Sequence, residues 1–126
     1  MLAQNFLSYQ ELEISEAQHQ SLISTLGRME RGEIPSNKFN MMRVGEPDCG
    51  TVGCILGWAR GSASNPVWDN SNMFATEALR NLFMPDTYYE FMAWGAKVEQ
   101  AAMALRSYLT TGHANWREAM QCPTKD

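Results

Sequence analysis

Val98, Ala101, Ala102, Leu105, Tyr108 and Leu109 fall on one stripe of an α-helical wheel, and Gly112 stands just past the last of them. That periodicity fits a helix of 3.6 residues per turn, and a glycine beyond it supplies the left-handed residue that commonly ends one. The spacing predicts a helix from about Ala96 to Thr110. Its apolar face must be buried, so this helix is expected at the centre of a core.

A second helix is bounded by its punctuation. Ser15 is a helix-capping residue with Gln18 three positions on, and Gly32 followed by Pro35 marks the stop. The helix so defined runs from about Glu16 to Arg31, with Leu22, Ile23, Leu26 and Met29 on its buried side. From Ser36 to Asp48 the chain reads as an extended connector between Pro35 and Pro47, with at most one short strand within Phe39 to Val44, where the alternation is weak. Asp48 then caps a helix over about Cys49 to Arg60. Ser62 to Ser71 forms a loop, and a helix follows from about Asn72 to Phe83 until Pro85 ends it. The segment from Asp86 through Trp94 reads about equally as a short helix capped by Asp86 or as an irregular loop, and Asn115 with Glu118 forms the cap of a last helix, Trp116 to Met120.

These elements add up to a mainly α protein. The expected architecture is one domain over residues 1–126: a compact bundle of about five short helices, a long irregular connector and at most one or two short strands. A chain of 126 residues has the size of one domain, and 44% hydrophobic with 19% charged residues is the profile of a folded one.

Charge and composition exclude several function classes. Ten Lys and Arg against fourteen acids give a net charge of −4, which disfavours a dedicated nucleic-acid binder. Arg28, Arg31, Lys38 and Arg43 are the most concentrated basic residues, but Glu30 and Glu33 interleave with them, as on a solvated mixed face. Met1 to Gln10 lacks the pattern of a signal peptide, and no segment has the ~18 apolar residues a membrane span needs. The expectation is a cytoplasmic protein with no membrane partner, whose three cysteines, Cys49, Cys54 and Cys122, stay reduced.

Gly50, Gly53, Gly57 and Gly61 line one stripe of the helix after Asp48. Each interior glycine costs a helix about 0.5 to 1 kcal/mol relative to alanine, so close packing of another backbone on that stripe is expected. The run Asp48-Cys49-Gly50-Thr51-Val52-Gly53-Cys54-Ile55-Leu56-Gly57-Trp58-Ala59 also resembles a family of small bacterial and phage-borne proteins sharing the form Cys-Gly-Thr-Val-x-Cys-x-x-Gly-x-Ala. Similar flanking features extend from about Phe39 to Trp116. The carried-over motif is Cys49, Gly50, Thr51, Val52, Cys54, Gly57 and Ala59. Members often carry His where this chain has Trp58, so no metal site is transferred. The resemblance implies a compact, mostly helical fold, a phage or prophage association, and no particular mechanism.

Two functional readings follow from single residues. Asp48-Cys49-Gly50 looks like the nucleophile turn of NlpC-type cysteine peptidases, and a thiol at a helix N-terminus is stabilised as thiolate. In that reading Cys49 is the nucleophile of a cysteine-dependent hydrolase and His113, rather than His19, its base. The reading needs a sheet to carry the histidine, and the region after Arg60 reads as helical. Cys49 and Cys54 stand five apart, outside the usual zinc spacing, so neither a metal nor another cofactor is expected.

The second reading is a non-enzymatic binding or accessory module that works through protein–protein contacts. Nine Met and four Trp are a compositional oddity; most of them are expected in the core, but Met is adaptable and Trp is enriched at interface centres. Trp68 lies among Asn65, Asp69 and Asn70, where an indole is exposed unless this chain, a second copy or another protein covers it. Trp68, with Met41 and Met42 of the connector, is therefore the candidate binding surface, and a homodimer is one expected use of it.

Overall fold

A computed structural model describes residues 6–39, 55–61, 68, 75–83 and 96–121, the side chains at 36, 57, 60 and 61 excepted. These residues are mostly helical, with no β-sheet among them: α1 (Tyr9–Leu12), α2 (Glu16–Glu30), a 3-10 turn (Ser36–Lys38), α3 (Ile55–Gly61), α4 (Glu77–Phe83), α5 (Val98–Thr111) and α6 (Trp116–Met120).

α5 is the hub. It packs on α2, α4 and α6, while α2 also receives α3 and α1. Ala101, Leu105, Tyr108 and Leu109 of the stripe are all fully buried, as its spacing predicts, and Ala104 beside them is buried as well. Gly112 ends the helix with φ +87° and donates its backbone N–H to the carbonyl of Tyr108. At the other end α5 starts at Val98, and Gln100 Oε1 accepts the backbone N–H of Lys97 at 2.9 Å. The Gln100 amide also reaches the Met120 carbonyl at 3.4 Å, which ties the start of α5 to the end of α6.

α2 forms for the reasons its sequence gives. Ser15 Oγ accepts the Gln18 N–H at 3.0 Å, and Gln18 Oε1 accepts the Ser15 N–H at 2.8 Å, so two orphan donors are satisfied reciprocally. At the far end Gly32 takes φ +75°, and the N–H groups of Gly32 and Glu33 return to the carbonyls of Met29 and Arg28. This is the Schellman arrangement, and it needs a residue that adopts positive φ without strain. The interleaved charges beyond it pair locally, Arg31 with Glu33 at 2.6 Å on the exposed surface.

Three elements depart from the expected pattern. α1 lies outside the expected elements, although Ser8 and Glu11 form a full capping box at its start. α4 begins at Glu77 rather than near Asn72, because Thr76 Oγ1 accepts the Leu79 N–H at 3.0 Å and caps the helix there. Residues 72–74 lie outside the described residues, as do the first half of the Cys49 to Arg60 helix and the Asp86 to Trp94 segment. Asn115 precedes α6 but its side chain does not cap it: Asn115 sits at φ 54°, and its amide donates instead to Ser107 Oγ at 2.9 Å. The left-handed backbone directs that side chain back to α5 and away from the free N–H groups of α6.

Three tryptophans staple the elements together. Trp58 of α3 donates its indole N–H to the Lys38 carbonyl at 3.1 Å, and Trp116 of α6 donates to the Leu82 carbonyl of α4 at 3.2 Å. Trp68 donates to Ser21 Oγ of α2 at 2.9 Å. Each indole buries a large apolar body and satisfies its polar end, the condition for burying tryptophan without penalty.

Candidate functional site

The face of α2 that meets α3 is polar and buried. Gln18, Ser21 and Thr25 are within 5% of full burial and recur at helical spacing, with Arg28 next along the stripe. Ser21 Oγ donates to the Ala59 carbonyl of α3 at 2.8 Å while accepting the Trp68 indole N–H, so one hydroxyl joins three segments. Thr25 Oγ1 donates to the Ser21 carbonyl at 2.8 Å. The Arg28 guanidinium lies 4.9 Å from the centre of the Trp58 ring, a cation–π contact across the same interface. The spacing of these polar residues is visible in the sequence, but their burial is not.

Trp68 must be reassigned. It is 2% exposed and meets Phe83 of α4 edge-on, with ring centroids 5.2 Å apart and planes at 89°. The cover for this indole is the chain itself, through α2 and α4. Asn65, Asp69 and Asn70 near it in sequence are polar, but burial is set by the partners that packing brings together, and here one lies 47 residues away. Trp68 therefore belongs to the core and offers no side chain to a second protein.

Met41, Met42, Cys49, Gly50, Thr51, Val52 and Cys54 lie outside the described residues. Of the remaining motif residues, Gly57 falls within α3, and Ala59 is fully buried with its carbonyl engaged by Ser21. His113 is exposed in the turn between α5 and α6. Its backbone carbonyl accepts the Ser107 hydroxyl at 2.7 Å, and its N–H donates to Thr111 Oγ1 at 3.2 Å. These bonds, with the one from Asn115 to Ser107, make a small polar knot that closes the C-terminal end of α5.

His19, the other histidine, stands on α2 beside the Tyr9 ring of α1, 6.3 Å between centroids. Its Nε2 atom is buried and has no hydrogen-bond partner among the described residues. Among the described residues no three His, Cys, Asp or Glu side chains gather closely enough to hold a metal ion. Nor is any described helix long and apolar enough to cross a membrane.

Among the described residues Met103 of α5 is the large apolar side chain most open to solvent, 40% exposed. Glu99 and Arg106 flank it at helical spacing, and Arg106 is held by Glu30 of α2. No protein-family model matches the chain, and neither a curated protein nor a solved structure does.

Proposed function

We propose that this protein is a small binding or accessory module that acts through protein–protein contacts rather than through chemistry on a substrate. The observation that supports this reading is how the buried polar side chains are used. Gln18 caps a helix, Ser21 joins α2 to α3 and Trp68, Thr25 bonds within α2, and Gln100 joins α5 to α6. Such groups fix a single packing of the helices and leave the exterior to meet a partner. Membership of the small bacterial and phage-borne family is part of the same reading and rests on the motif residues between Cys49 and Ala59.

With Trp68 inside the core, the contact surface falls to Met41 and Met42 of the connector and to the outer face of α5 at Met103. Methionine suits such a role because its unbranched side chain repacks against differently shaped partners. The test is a photo-crosslinking residue placed singly at positions 41, 42 and 103, with exposed Gln20 as control, in cells of the native host. One discrete adduct from the methionine positions, missing from the control, supports a binding module. Adducts indistinguishable from the control contradict it, as does fast iodoacetamide labelling of Cys49 at acidic pH in the native protein, the mark of an activated thiolate.

A further inference from the structure

We draw no further inference here: the strongest candidate, the buried and unpartnered hydroxyl of Tyr108 on α5, carries nothing because it is a lone polar atom within the core and no second observation among the described residues points to a ligand for it.

Discussion

The hydroxyl of Ser21 holds the indole of Trp68 by a buried 2.9 Å hydrogen bond between residues 47 apart in the chain. The same hydroxyl gives its proton to the Ala59 carbonyl, so its two capacities, acceptor and donor, are both used. Ser21→Ala removes an atom from each bond and leaves a buried N–H and a buried carbonyl short of a partner. The expected cost is about 1 to 3 kcal/mol, the penalty for orphaning such groups. A double-mutant cycle with Trp68→Phe, read by urea denaturation, should give a coupling above about 0.5 kcal/mol. Additive losses would mean that the bond contributes nothing to stability.

Tyr108 presents the opposite case. Its ring is fully buried in α5 but its hydroxyl has no partner among the described residues, so the polar atom is a cost the fold bears. Tyr108→Phe should be neutral or stabilising by up to about 1 kcal/mol, because the ring remains and only the unpaired oxygen leaves. A loss larger than that would reveal a bond to the hydroxyl.

Burial also raises the Tyr108 pKa above the ordinary tyrosine value. The folded state holds the phenolic proton more tightly, so the contribution is fully present below pH ~10, the unfolded value, and is lost as pH rises beyond it towards the folded pKa. Thermal melts between pH 9 and 11 should therefore show a steeper alkaline loss in the wild type than in Tyr108→Phe. Parallel curves would mean that the phenol ionises as easily folded as unfolded.

Glu30 and Arg106 join α2 to α5 through two parallel bonds of 2.6 and 2.7 Å, and the guanidinium also lies 5.5 Å from the centre of the Phe6 ring. Both side chains keep about a third of their surface in water, at 35% and 30%. Screening of such a pair is strong, so Glu30→Gln should cost less than about 1 kcal/mol. The difference should vanish near 1 M salt, where the Debye length is about 3 Å. A larger loss that persists in salt would mark the pair as part of the structural core.

Where order was legible in the sequence, the deciding interactions were local. Ser15 with Gln18 and the glycines at 32 and 112 work within one or two turns of their helices, and the α5 stripe repeats often enough to expose its period. α1 spans only four residues, too short to display a period, and only the Ser8 and Glu11 pair signalled it. Asn115 had the right chemistry for a cap, but the turn from α5 set its backbone and turned its amide to Ser107. Burial of Trp68 is hidden from the sequence for the most general reason. Asn65, Asp69 and Asn70 give its stretch of sequence a polar look, and its neighbours in space, Ser21 and Phe83, are supplied by distant helices. The candidate site was correspondingly less legible than the fold.

The most direct test of this account is the stability and mass of Trp68→Ala, measured by urea denaturation and by sedimentation on the same preparation. A core indole replaced by alanine should cost about 3 to 5 kcal/mol, and the sedimenting mass of the folded fraction should equal that of the wild type. An unchanged denaturation midpoint with a reduced mass would contradict the account, since Trp68 would then be a contact between molecules instead of a staple within one.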